Sequence, residues 1–171
     1  MPLALCGPAP LGYDPVVMAS PLGARFLLFR VAAEHFLIDI MAVRQILPFE
    51  GVTHVPRGPS FLEGLVSFHG RPIPLVDLRA RLLPDTPAGD ASRQVVLVVA
   101  TDVGDVGLKV DEVRRIVEVD LDSIVPPPPL VRGMAGRLFF GVVQTDDSLH
   151  LLIDLNSVFS SSEKETMKAE V

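Results

Sequence analysis

The segment FLIDIMAVRQI at residues 36–46 is followed, 70 positions later, by the related segment VGLKVDEVRRI at residues 106–116. Both combine alternating apolar residues with a final Val-Arg-x-Ile. The match resumes after a seven-residue insertion, because LVDL at residues 75–78 lies 77 positions before LIDL at residues 152–155. Self-similarity at a fixed spacing is typical of a duplicated structural unit. The sequence therefore predicts two related halves of about 60 residues, a size at which a domain is only marginally stable alone.

Short apolar runs of strand length dominate both halves, and turns that contain Gly or Pro separate them. The 16 prolines among 171 residues favour strands and turns over a helix bundle. Helix-like spacing at Val43–Leu47 predicts one short turn, and a short helix is predicted at Asp154–Phe159. We therefore expect an all-β fold with a few short helices, in which each half forms a small barrel or curled sheet and the halves share a core.

Composition divides the chain into three regions. Residues 1–24 are rich in Pro, Gly and Ala and are interpreted as a flexible N-terminal arm. Residues 25–159 form the folded domain, with repeated halves at about 25–82 and 94–159, and residues 160–171 are interpreted as a flexible polar tail. The start of the chain lacks the basic segment that opens a signal peptide, and no apolar run approaches the roughly 20 residues of a membrane span.

Charge and cysteine content exclude several classes of function. The formal net charge of −6 argues against a general nucleic-acid binder, since contact with phosphates needs a surplus of Lys and Arg. Cys6 is the only cysteine, so an intramolecular disulfide and a Cys-based zinc site are both impossible, and a reducing compartment is favoured. Phosphate loops, nucleophile elbows and dinucleotide fingerprints are missing. The sequence therefore predicts no cofactor and no metal.

Two pairs of polar residues leave alternatives open. Ser67 and His69 share a face of a predicted strand and could act as nucleophile and base, but no third orienting group is evident, so an exposed strand edge is the simpler interpretation. Asp77 and Asp154 occupy equivalent repeat positions and could form a carboxylate pair for acid–base chemistry. Helix capping is the better interpretation, because each follows a strand and precedes a predicted helical turn.

Apolar residues at paired repeat positions offer a binding surface instead. Two barrels joined side by side leave a groove between them, which could be lined by Val43, Ile46, Val113 and Ile116. Ordinary core filling is the alternative, and periodicity does not separate the two. A groove of Val and Ile suits an amphipathic partner helix, and sheet edges offer strand pairing as a second mode of binding.

Short motifs in a fixed order extend from Phe26 to Phe159. They are FLLF (26–29), FLIDI (36–40) with VRQI (43–46), VP (55–56) with PSFLEG (59–64), GRPIPLVDLR (70–79), VGLKVDEV (106–113), Ile124 with Pro126 and Pro128, and LLIDL (151–155). Each motif alone is weak, but their order and spacing together are specific. On these motifs the chain resembles the CheW-like coupling proteins of bacterial chemotaxis and related chemosensory systems.

The resemblance implies two intertwined five-stranded SH3-like β-barrels and no enzymatic activity. It implies a cytoplasmic adaptor, associated with membrane-bound or soluble receptor arrays, that binds the tips of chemoreceptors (methyl-accepting proteins). Such an adaptor couples the receptors to the regulatory domain of a histidine kinase, or modulates that coupling, with no nucleic acid and no insertion into the membrane. The receptor-binding groove of the family corresponds here to Val43, Gln45, Ile46, Val95, Val113 and Ile116. The kinase-binding surface, implied to lie on the first barrel, corresponds to Val52, Thr53, Pro56, Phe61 and Gly64.

Two positions depart from the family pattern. Related proteins usually have Val-x-Glu-Ile where this chain places Gln45, and Asn-Leu-Arg-Gly where it places His69. Losing both charges keeps the local charge balance but removes a fork-shaped hydrogen-bond donor. The alternative function is therefore a divergent coupling protein that binds receptors without recruiting the kinase. A distant alternative is a small β-barrel hydrolase that uses Ser67 and His69.

Overall fold

The chain folds mainly into β-strands. The computed structural model describes residues 24–56, 58, 60, 62–83, 85–87, 93–128, 138–145 and 148–170, the side chains of 166–170 excepted. The strands of these ranges are β1 (Ala24–Val31), β2 (Glu34–Asp39), β3 (Val43–Pro48), β4 (Leu62–Phe68), β5 (Arg71–Asp77), β6 (Val95–Thr101), β7 (Gly104–Val110), β8 (Glu112–Val119), β9 (Phe139–Thr145) and β10 (Ser148–Ile153). The helices are α1 (Leu78–Leu82) and α2 (Ser161–Glu170), and 3-10 turns cover Ile40–Ala42 and Leu121–Ser123.

The strands form two five-stranded sheets. Their orders are β8-β1-β2-β10-β9, which we name the β1 barrel, and β3-β6-β7-β5-β4, which we name the β3 barrel. One order becomes the other when each strand is replaced by its repeat equivalent, β1 by β6, β2 by β7 and so on. The expected fold class, all-β with two five-stranded barrels and a few short helices, is confirmed.

Each half of the chain contributes to both barrels. The strands β1 and β2 lie in the β1 barrel, whereas β3, β4 and β5 of the same half lie in the β3 barrel. The second half divides in the opposite way. The halves meet in two parallel pairs, β2 with β10 and β5 with β7, and in two antiparallel pairs, β1 with β8 and β3 with β6. A barrel is therefore not one contiguous half of the chain, 25–82 or 94–159. The expectation that each half folds into its own barrel is wrong, because these long-range pairings intertwine the halves.

β-Bulges occupy equivalent positions in the two halves of the described chain. Arg44 in β3 and Arg114 in β8 are the extra residues of one pair of bulges, 70 positions apart. Glu63 in β4 and Phe140 in β9 are the extra residues of a second pair, 77 positions apart. A bulge bends its strand and re-aims the side chain of the extra residue. The structure therefore repeats itself at both offsets found in the sequence.

The two barrels share one apolar core. In β1, Leu27 and Phe29 belong to a buried cluster that also contains Leu97 of the β3 barrel. The alternate residues Phe26 and Leu28 belong to a second buried cluster, drawn from the β1 barrel alone. Successive side chains of a strand point to opposite faces, so β1 is buried on both faces. Burial of both faces explains why this strand is apolar without interruption.

A buried ion pair fixes the crossover from the β3 barrel to the β1 barrel. Asp111 lies between β7 and β8, and its carboxylate accepts hydrogen bonds from Arg79 Nη2 at 2.8 Å, from Gln94 Nε2 at 3.1 Å and from the backbone N–H of Ala32. Burial raises the pKa of Asp111, but the hydrogen bonds from Ala32, Gln94 and Arg79 outweigh burial and hold this pKa below its ordinary value. The charged carboxylate therefore joins α1, the β1–β2 turn and the crossover.

Two predicted helical segments take other conformations. Val43–Pro48 forms strand β3, paired with β6, and not the helical turn predicted at Val43–Leu47. Pairing with β6 overrides the apparent helical spacing, and β-branched residues fit a pleated strand well. The predicted short helix at Asp154–Phe159 is a series of turns and bends.

Both repeat-equivalent aspartates organise local backbone. Asp77 caps α1, because its Oδ1 accepts a hydrogen bond from the backbone N–H of Arg79 at 2.9 Å. Asp154 Oδ1 accepts from the backbone N–H of Asn156 at 3.1 Å, and its Oδ2 accepts from the Ser157 hydroxyl at 2.8 Å. The helix-capping interpretation is therefore confirmed for Asp77, whereas Asp154 closes a turn.

The C-terminal segment, predicted to be a flexible tail over residues 160–171, contains helix α2. Ser160 and Glu163 form a capping box: the Glu163 N–H donates to Ser160 Oγ at 3.3 Å, and the Ser160 N–H donates to Glu163 Oε2 at 2.6 Å. Arg81 of α1 donates to both carboxylate oxygens of Glu163, at 3.0 and 2.9 Å. These contacts anchor the first turn of α2. Of the predicted N-terminal arm, residues 1–23 lie outside the described residues, and residue 24 already belongs to β1.

Candidate partner-binding surfaces

The strands β3 and β8 are edge strands, one at the end of each sheet. They are repeat equivalents, and each follows directly after the chain has crossed between the barrels. Ile46 on β3 is 44% exposed, and Ile116 on β8 is 48% exposed. An edge strand leaves backbone N–H and C=O groups without a partner strand. Each barrel therefore presents an exposed isoleucine on an open edge.

The six residues predicted to form the receptor-binding groove fall into two groups. The exposed group consists of Gln45, Ile46 and Ile116. The partly buried group, packed against the shared core, consists of Val43, Val95 and Val113. The valines therefore support the fold, and the exposed part of the predicted groove is smaller than six residues.

The described residues that were predicted to bind the kinase lie in β4 and in the segment before it, in the β3 barrel. Thr53 and Leu65 form an isolated bridge through backbone hydrogen bonds of 2.9 and 2.8 Å. Gly64 is buried at φ +152°, and a Cβ at this position would overlap the carbonyl oxygen of Thr53. Only glycine permits this close approach. The other members are Val52, which is partly buried against the β3-barrel core, Pro56, which is exposed, and Phe61, which lies outside the described residues.

Sequence reasoning missed a buried lysine beside this surface. Lys109 Nζ lies 2.6 Å from Glu63 Oε1, 3.8 Å from Asp77 Oδ2 and 5.0 Å from the centroid of the Phe49 ring. A cation in a buried position needs such partners. The sequence signal was a lysine within the apolar strand VGLKV, but its partners come from distant elements that spacing alone does not identify.

Charged residues flank the two positions that depart from the family pattern. Gln45 and His69 are both exposed. Arg44, next to Gln45, places its Nε 3.4 Å from Asp105 Oδ1. Arg71, two residues after His69, places its Nη2 3.5 Å from Asp105 Oδ2. The neighbours of both departures therefore meet at one carboxylate on β7.

The geometry around Ser67 and His69 does not support the hydrolase alternative. Both residues are exposed, and His69 lies in the two-residue turn between β4 and β5 at φ +51°. Its ring contacts the ring of Phe68, with centroids 4.2 Å apart. Within the described ranges, no carboxylate is hydrogen-bonded to His69 to orient it as a base. The pair therefore lacks the third member that nucleophilic catalysis requires.

A cavity lies between β2, β10 and the end of α1. Its volume is about 430 Å³, and its lining includes Leu82, Phe139 and the two histidines His35 and His150. The centroids of the two imidazole rings are 6.1 Å apart. In the part of the chain that the structure describes, no group of three or more His, Cys, Asp or Glu side chains is placed to hold a metal ion. No described helix combines the length and the apolar character needed to cross a membrane.

Comparison with known proteins gives a consistent match across the folded region. The CheW-like domain family profile matches residues 25–163. The chemotaxis protein CheW of Rhizobium meliloti (strain 1021) is 33% identical over 143 residues, which cover 84% of this chain and 92% of that protein. The probable chemotaxis protein CheW of Rhizobium etli is 32% identical over 139 residues, covering 81% of this chain and 89% of that protein. The crystal structure of the scaffolding protein TtCheW from Thermoanaerobacter tengcongensis matches with a TM-score of 0.75 and 30% identity, covering 83% of this chain and 96% of that chain.

The two intertwined five-stranded barrels, matched by the profile over residues 25–163, define a protein of the CheW-like class. The chain belongs to the CheW-like family of chemotaxis adaptor proteins.

Proposed function

We propose that the protein is a non-enzymatic, cytoplasmic adaptor that binds the tip of a chemoreceptor and couples it to a histidine kinase. The observation that carries this proposal is the match of the CheW-like profile to residues 25–163, the region that forms the two complete sheets. Its relatives are named as chemotaxis proteins, and one is described as a scaffolding protein. An adaptor acts by holding two partners at once, so it needs two separate surfaces.

The receptor-binding surface in this proposal is formed by the edges of β3 and β8. Their exposed residues Ile46 and Ile116 offer apolar area to an amphipathic helix, while the partly buried Val43, Val95 and Val113 support the strands from beneath. Burying an isoleucine side chain against a partner stabilises a complex by up to about 1.5–3 kcal/mol. These two isoleucines therefore supply the apolar contact area of the surface.

The kinase-binding surface in this proposal is formed by β4 and residues 52–56. The strand β4 is the other edge of the β3 barrel, and among the described residues Thr53 bridges it at Leu65 alone. Within that part of the chain the rest of this edge has no partner strand, so it is available for pairing with a strand of another protein. Lys109 contacts both Glu63 of β4 and the ring of Phe49, and so links this edge to the segment that follows β3.

A retention experiment tests the coupling. The cytoplasmic fragment of a chemoreceptor from the same genome is immobilised, and the regulatory domain of the kinase is added with or without the full-length chain. We expect the kinase domain to be retained only when the chain is present. Pro56→Glu, at an exposed position, should lower retention of the kinase domain without lowering binding of the chain to the receptor. A chain that binds neither partner would refute the proposal.

A divergent role is the second candidate, in which the chain binds receptors without recruiting the kinase. Its support is that Gln45 and His69 replace a usual Glu and Arg at exposed positions. Neutral hydrogen bonds contribute about 0.5–1.5 kcal/mol each, whereas close charge pairs at an interface couple by about 1.5 kcal/mol or more. Each 1.4 kcal/mol corresponds to about a tenfold change in affinity. The difference in binding free energy between neutral hydrogen bonds and charge pairs at these two positions is therefore large enough to change which partner the chain binds.

Titration against the kinase regulatory domain separates the two candidates. The divergent role predicts weak or undetectable binding by the wild type and recovery in the Gln45→Glu/His69→Arg variant. The wild type should still bind the receptor, because Ile46 and Ile116 are exposed and available in it. Equal kinase affinity in the two proteins would contradict the idea that these positions set the choice of partner.

A further inference from the structure

One arginine of each edge strand, Arg44 of β3 and Arg114 of β8, shares a carboxylate with an arginine of another strand in a three-residue cluster. On the β3 barrel, Asp105 contacts Arg44 and Arg71 at 3.4 and 3.5 Å. On the β1 barrel, Glu112 contacts Arg30 and Arg114, both at 3.2 Å. The hydrogen bond from Arg30 is the largest influence on Glu112 and lowers its pKa, so this carboxylate is charged. Each cluster therefore holds one positive charge in excess.

The excess charges come from repeat-equivalent residues at the same structural position. Arg44 and Arg114 lie 70 positions apart, and each is the extra residue of a β-bulge on its edge strand. A bulge re-aims its extra side chain, so both guanidinium groups are presented by a defined irregularity of the strand. Each bulge arginine precedes the exposed isoleucine of its strand, Ile46 or Ile116, by two residues. The two strands therefore present the same pair of groups, one cationic and one apolar.

Fold stability does not account for these clusters. The side chains of Arg44 and Arg114 are 60% and 48% exposed, and exposed ion pairs contribute little to the free energy of unfolding. Each of these two guanidinium groups contacts its carboxylate through one nitrogen, although it carries five N–H donors. The chain as a whole has a net charge of −6, so these two clusters are locally positive sites on a protein that is negative overall. The remaining donors are suited to carboxylates of a partner.

We propose that the edges of β3 and β8 bind one amphipathic helix that is acidic on both sides of its apolar face. Its apolar residues contact Ile46 and Ile116, and its carboxylates contact Arg44 and Arg114. The proposal rests on the proposed function, in which the occupant of this surface is the helical tip of a chemoreceptor, and it specifies the charge that this tip must carry. A basic or neutral helix would leave both excess charges without a counter-charge.

The matched variants are Arg44→Gln/Arg114→Gln and, as a control, Arg25→Gln/Arg93→Gln. The first removes the excess charge of each cluster and leaves the pairs Arg71–Asp105 and Arg30–Glu112 in place. The control removes the same number of charges at exposed positions outside the clusters. Both variants are first checked for an unchanged thermal unfolding midpoint, so that a loss of binding is not a loss of fold.

The measurement is the affinity of the full-length chain for the receptor cytoplasmic fragment at low and high salt. We expect Arg44→Gln/Arg114→Gln to weaken binding about tenfold or more at low salt, with a smaller dependence on salt, while the control changes affinity less than about twofold. If the wild type binds but the two variants have equal affinities and equal salt dependence, this inference is wrong and the proposed function stands. If the wild type does not bind the fragment at all, the proposed function fails and this inference fails with it.

Discussion

Two glycines with positive φ illustrate how single residues shape the surface next to β4. Gly51 has φ +124°, and a Cβ built at this position would meet no other atom. Gly64 has φ +152°, and a Cβ there would overlap the carbonyl group of Thr53. Substitution at either position strains the backbone, because side chains disfavour these φ values. Only at Gly64 does it also force apart the bridge between Thr53 and Leu65.

The paired substitutions Gly51→Ala and Gly64→Ala separate these two effects. We expect Gly51→Ala to lower the free energy of unfolding by about 1–3 kcal/mol, the range for backbone strain alone. Gly64→Ala should cost at least about 1 kcal/mol more, because it also disrupts the backbone bonds of the bridge. Urea unfolding of both variants measures the difference, and equal costs would show that the approach of residue 53 to β4 is not what requires glycine.

Among the secondary-structure elements, helix α2 is the one that the polar composition of the sequence did not predict. The polar sequence of residues 160–171 predicted a flexible tail, but Ser160 and Glu163 have the spacing of a capping box, a signal present in the sequence. The contact with Arg81 was not predictable, because it depends on where α1 lies in the folded chain. The strand β3 was misread for a related reason, since its partner β6 is distant in sequence.

The capping box makes a prediction with a neighbouring control. Ser160→Ala removes the hydroxyl that accepts from the Glu163 N–H, and it should destabilise the protein by about 1 kcal/mol. For a chain of this size that corresponds to a fall in the unfolding midpoint of about 2–4 °C. Ser161→Ala, at an exposed residue next in sequence, should change the midpoint little. Equal shifts in the two variants, measured by thermal unfolding, would contradict the role of Ser160 as the cap.

At the scale of the whole molecule, the repeat in the sequence predicted duplicated halves and a shared core, and the strand-rich fold is confirmed. The exchange of strands between barrels came only from the family resemblance, because periodicity gives strands but not their partners. The same limit applies to the candidate sites. The sequence predicted Ile46 and Ile116 as groove residues, and the structure shows only that both are exposed. The partners of Asp105, Lys109 and Asp111 come from distant parts of the chain, which spacing does not identify.

The buried carboxylate of Asp111 at the crossover makes the free energy of unfolding depend on pH in the acid range. The pKa of Asp111 in the folded chain is below its ordinary value of 3.8, so this carboxylate stabilises the fold above that value, and the contribution is lost as pH falls through the lowered pKa. Asp111→Asn leaves Arg79 buried without a counter-charge and should cost about 3–5 kcal/mol at neutral pH. The difference between wild type and variant should shrink below pH 3.8. Urea unfolding across this range checks the sign, and a difference that is constant with pH would contradict it.

If β3 and β8 form one receptor-binding surface, a charge placed on either exposed isoleucine should weaken receptor binding. The affinity of the full-length chain for a chemoreceptor cytoplasmic fragment is compared among the wild type, Ile46→Asp, Ile116→Asp and the double variant. We expect the wild type to bind and each single variant to bind at least about tenfold more weakly, since a carboxylate would be desolvated against an apolar helix. The double variant should not bind while remaining folded. Undiminished binding by the folded double variant, or no binding by the wild type, would show that the two edge strands do not form a receptor-binding surface.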